Sequence, residues 1–368
     1  MPGDLHAIVM AGGSGVRFWP ASRARLPKQF LPIAGDVPLL ARTLARLRGL
    51  VPPERIWVCL GSAHRDAARE SLAAFGGVRL LVEPFGCDTA ACVAFSALAV
   101  SRVDPEARLA VLPADHVIDP EADFREALRA ASTGLGEGEL LTFGIRPREP
   151  ATSYGYVEVG SEVGRRGMLA VHRVAAFREK PDLATAQGYL RGGKHLWNAG
   201  IFLWRAKGIL AALRRYVPRV VEPLEAVAAD FGTEREPASL AQAYARSQRI
   251  SIDYGVLEPA SRSGGARDGA VTVVPVDWTW DDVGSWGAAA RYLAEDGAGN
   301  RVRGAVEALD SAGCIAVSDA KHLVALLGAK DLIVVHTPDA TLVCDRAREG
   351  ELKKLQEHLK ARGREGVL

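Results

Sequence analysis

Apolar and polar positions along the first half of the chain fall into short, mainly apolar runs separated by longer stretches with helical spacing. Residues 7–10 (AIVM) contain no polar position, as a strand buried on both faces requires, and residues 55–60, 78–82, 108–112 and 140–145 continue the series. Between the runs, Leu40, Leu44 and Leu47 keep helical spacing, and residues 63–75 and 124–131 read as helix. Asp88 is placed to cap an alanine-rich helix reaching Val100. Strand and helix in alternation predict an α/β fold, a mostly parallel mixed sheet covered by helices. In such sheets ligands sit beyond the carboxyl ends of the strands, where Gly12, the Glu83-Pro84 turn and Asp115 would converge.

From Tyr154 to Phe177 the period shortens to strands without intervening helices, a hairpin-rich insertion suited to wall one side of a cleft. Helical spacing resumes at Asp182 and over residues 210–231 and 240–247, while residues 199–204 and 271–276 read as returning strands, so a first domain of residues 1–295 is expected. In the second domain, residues 296–368, Ile315, Val324, Ile333 and Leu342 recur every nine residues, the pattern of short stacked strands. Leu352, Leu355 and Leu359 then mark one face of a charged helix, expected to cover a neighbouring element or a second subunit.

Composition narrows the partners. A net charge of +2 over 368 residues provides no basic field for nucleic acid or a membrane surface, so an anionic ligand must be caught locally. Asp4 and the glycines from residue 12 leave no signal-peptide core, and no apolar run reaches spanning length, so a soluble cytoplasmic protein is expected. The five cysteines are odd in number and lack paired metal spacing, which suits buried thiols in a reducing compartment. Only nine of the 46 basic residues are lysine, so Lys28 and Lys180 stand out.

The stretch from Ile8 to Ile33, IVMAGGSGVRFWPASRARLPKQFLPI, reads as a phosphate cradle. Gly12, Gly13 and Gly15 let backbone N–H groups face an anion that a Cβ would push away, and Arg17 and Lys28 follow as cations. It is neither the dinucleotide fingerprint, whose third glycine would stand at Phe18, nor a P-loop, which needs Lys-Ser/Thr after its last glycine. In EPFGCDTA, residues 83–90, a turn after a strand sets Thr89 along the edge of a base or serves as a helix start, or both. Asp115 in LPADHVI stands at a strand end, Glu179 and Lys180 in FREKPD at another, and Asn198 in WNAGIF can donate and accept to one hydroxyl. His116, Trp278, Trp280 and Trp286 are expected to pack rather than react.

The opening string resembles that of the sugar-1-phosphate nucleotidyltransferases, in their mannose-1-phosphate guanylyltransferase branch, and six motifs in family order carry the resemblance over nearly the whole chain. It implies a Rossmann-like nucleotidyltransferase domain followed by a small left-handed β-helix, GTP and mannose 1-phosphate as substrates, GDP-mannose and pyrophosphate as products, and a homodimer. It implies nucleotide contacts at Gly12, Gly13, Ser14, Gly15, Glu83, Pro84, Gly86 and Thr89. Mg2+ would sit on Asp115 and Asp282, with Asp281 set aside. Gly155, Glu179, Lys180 and Asn198 would hold the sugar, with Lys180 on its phosphate and Arg17 and Lys28 on the leaving pyrophosphate.

Val16 and Cys87 depart from the family's Thr and Arg. They keep open another nucleoside triphosphate or hexose, and a non-catalytic nucleotide-sugar-binding homologue is the rival from another class. A chain stopping at Leu368 lacks an isomerase domain, so a single activity is expected. Because every site residue lies upstream, truncation after Glu295 is expected to shift the protein toward monomer and, if the first domain stays folded, to leave some turnover.

Overall fold

The computed structural model describes residues 4–13, 15–262, 270–318 and 321–368. The first eleven strands are β1 (Leu5–Met10), β2 (Ile56–Gly61), β3 (Arg79–Glu83), β4 (Arg108–Pro113), β5 (Val117–Asp119), β6 (Leu140–Ile145), β7 (Gly155–Arg166), β8 (Leu169–Glu179), β9 (His195–Arg205), β10 (Val271–Val276) and β11 (Thr279–Asp281). Nine of them form one sheet in the order β3-β2-β1-β4-β9-β6-β10-β8-β7, and β5 pairs separately with β11. β3, β2, β1 and β4 run parallel, in keeping with the apolar runs of β1, β2 and β4, and β6 is parallel to β10. β9 runs antiparallel between β4 and β6, so its early residues reach the carboxyl ends of both. The β7–β8 hairpin returns at its open end to the start of β9, with Gly155 opposite Glu179 and Tyr156 opposite Trp197.

The helices are α1 (Leu39–Arg46), α2 (Arg65–Leu72), α3 (Asp88–Ser101), α4 (Glu121–Thr133), α5 (Leu183–Gly192), α6 (Ala206–Tyr216), α7 (Pro218–Glu225), α8 (Glu236–Arg246), α9 (Glu258–Arg262), α10 (Trp286–Ala289) and α11 (Leu352–Ala361). α3 is buried along nearly its whole length, between the sheet and α6 and α7, which is why it reads as an alanine run without an amphipathic stripe. On the opposite face Leu40 and Leu44 of α1 and Phe124 and Leu128 of α4 fill a second core.

Beyond Tyr292 come β12 (Ala294–Glu295), β13 (Arg301–Arg303), β14 (Val306–Leu309), β15 (Ile315–Ser318), β16 (Val324–Leu327), β17 (Leu332–Thr337) and β18 (Ala340–Asp345). β13, β15 and β17 stack in parallel on one face and β14 and β16 on another. Ile315 lies over Ile333 and Val306 over Val324, so one coil takes eighteen residues and the nine-residue recurrence steps from β15 to β16 and back to β17, while its last member, Leu342, lies on β18, antiparallel beside β17.

This unit is packed against the first sheet's loops. Phe18, Trp19, Leu39, Val283 and Trp286 share a core with Ile315, Val317, Ile333, Val335, Leu342 and Leu352, and Leu355 and Leu359 pack on it. The leucine face of α11 therefore packs on its own chain, the neighbouring-element alternative of the sequence reading, with Leu352 buried and Leu355 and Leu359 half-buried.

Candidate active site

The glycine loop leaves β1 at the sheet's carboxyl edge, where Ala11 donates its N–H to Cys59 O at 2.7 Å. Gly12 and Gly13 have open space where a Cβ would stand, whereas a Cβ on Gly15, at φ +60°, would lie 2.7 Å from Lys28 N. Gly15 is thus required both by its left-handed backbone and by its approach to the Pro27-Lys28 segment. The buried Gln29 amide donates to Ala11 O (2.8 Å) and Gly12 O (3.2 Å). From the other side Gln356 on α11 donates to Val16 O at 2.8 Å, and Trp19 Nε1 donates to Val367 O at 2.7 Å. Arg17 is exposed beside the Asp282-Gly284 turn, and no hydrogen bond ties its guanidinium among the described residues. Ser14 lies outside the described residues.

Lys28 joins two loops. Its ammonium contacts Asp115 Oδ2 at 2.9 Å and donates to the carbonyls of Asp282 (2.8 Å) and Val283 (3.2 Å), which occupies all three of its protons. Burial alone would raise the Asp115 pKa, but Lys28 and His116 outweigh it and hold the carboxyl below its ordinary range, so it is ionised at neutral pH. Asp282 Oδ1 accepts from Tyr154 OH at 3.1 Å. Its neighbour Asp281 is saturated by Val283 N–H, the Arg291 guanidinium and Tyr292 OH, which makes it a structural carboxylate and leaves Asp282 to face the cleft. Val283 takes φ +45°, costly for a β-branched residue, and Asp88 and Lys180, in two other site motifs, are also left-handed.

Beside the Asp282-Gly284 turn, at the carboxyl ends of the strands, a cavity of about 220 Å³ is lined by residues that include Thr89, His116, Tyr154, Gly155, Glu179, Asn198, Asp253 and Asp282. A Cβ on Gly155 would collide with Glu179 Oε2, so this glycine makes room for a carboxylate rather than for the hexose directly. Asn198 accepts from Gly200 N–H (3.2 Å) and Thr142 Oγ1 (2.9 Å), which fixes its amide and directs Nδ2 to Asp253 Oδ1 at 2.9 Å. What remains for a sugar is donation of its second amide proton, not the simultaneous donating and accepting anticipated. Lys180 is 60% exposed and pairs with Glu179 Oε1 at 3.1 Å. Trp278 and Trp286 pack as expected, whereas His116 and Trp280 line the cavity as well. The Trp280 indole donates to His116 Nδ1 at 3.1 Å, so the neutral ring carries its proton on Nε2, 3.8 Å from Asp115 Oδ1.

The Glu83-Pro84 turn corrects one expectation. Glu83 shares the inward face of β3 with Leu81, is 5% exposed, and accepts from Tyr244 OH at 3.0 Å, so its side chain points into the core and not at a nucleotide. Burial pushes its pKa up to about 7 despite the Tyr244 hydrogen bond. Pro84 O is held by Ser62 Oγ at 3.0 Å, and Gly86 is open. Thr89 Oγ1 accepts from Ile252 N–H at 2.8 Å, and Cys87 is buried facing the Ser247 and Gln248 carbonyls. Gln29, Tyr154, Asp253 and Gln356 were not singled out from sequence. Gln29 stands inside a recognised string, while Gln356 carries no local signal.

Residues 6–296 match the family described as Nucleotidyl transferase, and residues 304–359 match the MannoseP isomerase/GMP-like beta-helix domain. The chain belongs to the nucleotidyl transferase family. Among relatives of this nucleotidyl transferase, the mannose-1-phosphate guanylyltransferase of Escherichia coli (strain K12) is 38% identical over 98% of the chain and 74% of its own length. The xanthan biosynthesis protein XanB of Xanthomonas campestris pv. campestris (strain B100) is 38% identical over the same shares. A crystal structure described as mannose-1-phosphate geranyltransferase from Thermus thermophilus superposes with a TM-score of 0.83 at 37% identity, covering 98% of this chain and 100% of that one. No helix among the described residues is long and apolar enough to cross a membrane.

Proposed function

We propose that this nucleotidyl transferase moves GMP from GTP to mannose 1-phosphate, releasing GDP-mannose and pyrophosphate. The observation that carries the reading is the convergence of the open glycine loop, Arg17 and the Lys28-linked Asp115 and Asp282 beside a cavity walled by Glu179 and Asn198. Gly12 and Gly13 present backbone N–H groups to the triphosphate, and Thr89 with the backbone at Gly86 borders the base. Glu179 and Asn198 orient the sugar hydroxyls, and Lys180 swings from Glu179 to the sugar phosphate.

An oxygen of that phosphate forms a bond to the α-phosphorus as the bond to the β-phosphate breaks. The attacking oxygen is already anionic, so no general base is needed. Arg17 meets charge growing on the leaving pyrophosphate, while Lys28 keeps Asp115 and the 282–283 turn at working distance. Asp115 and Asp282, two hard oxygen donors with the first held ionised, fit a divalent cation and would hold Mg2+, which supplies neutralisation of phosphate charge when bound.

In this reading residues 1–295 form the catalytic unit, residues 296–368 the left-handed β-helix, and the protein works in the cytoplasm as a homodimer. Exposed Leu309 and Leu327, side by side on β14 and β16, offer an apolar contact for the second copy. The test is pyrophosphate release from a panel of nucleoside triphosphates against a panel of hexose 1-phosphates. GTP with mannose 1-phosphate should give the highest kcat/KM, and a better substrate pair or complete inactivity would overturn the proposal.

A further inference from the structure

Asp253 faces the sugar cavity from a segment that none of the recognised motifs contains. Residues 247–253 form a strap between the two ends of the cleft. Ile250 O accepts from Ala90 N–H at 3.2 Å and Ile252 N–H donates to Thr89 Oγ1 at 2.8 Å, which pins the strap to the start of α3. At Asp253 the chain enters a single π-helical stretch, Asp253–Leu257, an irregularity that recurs at functional sites. Gly255, Val256 and Leu257 are buried behind it, so the carboxylate stands on a fixed support.

The carboxylate is not explained by structure alone. Its one side-chain hydrogen-bond partner among the described residues is Asn198 Nδ2, at Oδ1 and 2.9 Å. No ion pair within contact distance forms among the described residues, and burial, with repulsion from Glu179, outweighs the Asn198 hydrogen bond and the pull of Lys180 and pushes its pKa up to about 7. Two carboxyl groups in one small cavity cost stability unless a ligand uses them. Hexose hydroxyls, each a donor and an acceptor, are the ligand chemistry that does.

Resting on the functional reading above, we propose that Asp253 is a specificity-determining residue of the sugar cavity, hydrogen-bonding ring hydroxyls of the hexose together with Glu179. Asn198 fixes one oxygen of the carboxyl, and the strap ties its position to the turn that borders the base.

The test uses the full chain and its Asp253→Asn variant, assayed with GTP against mannose 1-phosphate and its monodeoxy analogues. The variant keeps an oxygen for Asn198 and loses the repulsion from Glu179, so its thermal midpoint should stay level or rise. KM for mannose 1-phosphate should rise ten-fold or more while KM for GTP moves less than three-fold. The variant should also lose discrimination against one deoxy analogue that the wild type disfavours, because a hydroxyl with no partner is no longer missed. Should Asp253→Asn fail to fold, Asp253→Glu, which pushes the carboxyl further into the cavity, should show the same split between the substrates. Unchanged KM for the sugar and an unchanged analogue pattern in a folded variant would sink the inference and leave the functional reading standing. A wild type inert with every hexose 1-phosphate would overturn both.

Discussion

Arg17 and Lys28 come from one short string, yet they occupy different electrostatic situations. Lys28 has its protons committed to Asp115 and two carbonyls, whereas Arg17 stands exposed beside the Asp282 turn. Arg17→Ala should therefore cut kcat by roughly 100-fold with KM for GTP nearly unchanged, as removal of a donor used mainly in the transition state does. Steady-state kinetics with GTP varied at saturating mannose 1-phosphate would show it. Glu83 makes the opposite case, a charged residue of a recognised motif that serves the core. A carboxyl raised from 4.5 to about 7 favours the protonated fold, so its contribution is present below about pH 4.5 and is lost as pH climbs through 7. The span amounts to about 3 kcal/mol, and Glu83→Gln should flatten the fall in unfolding free energy, read from urea titrations between pH 5 and pH 8, by about that much. Its inward direction was legible all along, since Leu81 two residues earlier is an obvious core position and strand side chains alternate.

Among the elements, those bounded by short contiguous strings were the readable ones. Residues 271–276 form β10 as expected, and β1, β4 and β6 fall where unbroken apolar runs stand. Asp115, Glu179, Asn198 and Asp282 were visible because each sits in its own recognisable string at the end of a strand. Asp253 and Gln356 were not, because their partners Asn198 and Val16 lie 55 and 340 residues away and no local pattern announces such a contact. The α11 leucines were read correctly as a covered face, but the choice between a neighbouring element and a second subunit stayed open, since an amphipathic stripe says that a face is covered but not by what. Gln356→Ala should raise KM for GTP about five-fold, the factor that losing about 1 kcal/mol of hydrogen bonding gives, while Gln356→Glu, which cannot donate to Val16 O, should do no better.

For the molecule as a whole, the shared core changes what truncation should do. Removing everything after Glu295 would expose Phe18, Trp19, Leu39, Val283 and Trp286 together, and each lost large apolar burial is worth roughly 1.5–3 kcal/mol. The shortened protein should accumulate in the insoluble fraction with no measurable turnover, in contrast to the surviving activity that the linear order of motifs suggests. Solubility on expression and pyrophosphate release from whatever remains soluble decide the point. The intact protein, by contrast, should sediment as a dimer, and Leu327→Glu should shift it toward monomer, because Leu327 is 76% exposed beside Leu309 on β14 and β16. The contact between Gln356 and Val16 has one more consequence, which concerns synthesis. At roughly 5–20 residues per second, the ribosome finishes the glycine loop some 20 to 70 seconds before it delivers the helix that carries Gln356, so every newborn molecule holds that loop only from the Gln29 side for that interval.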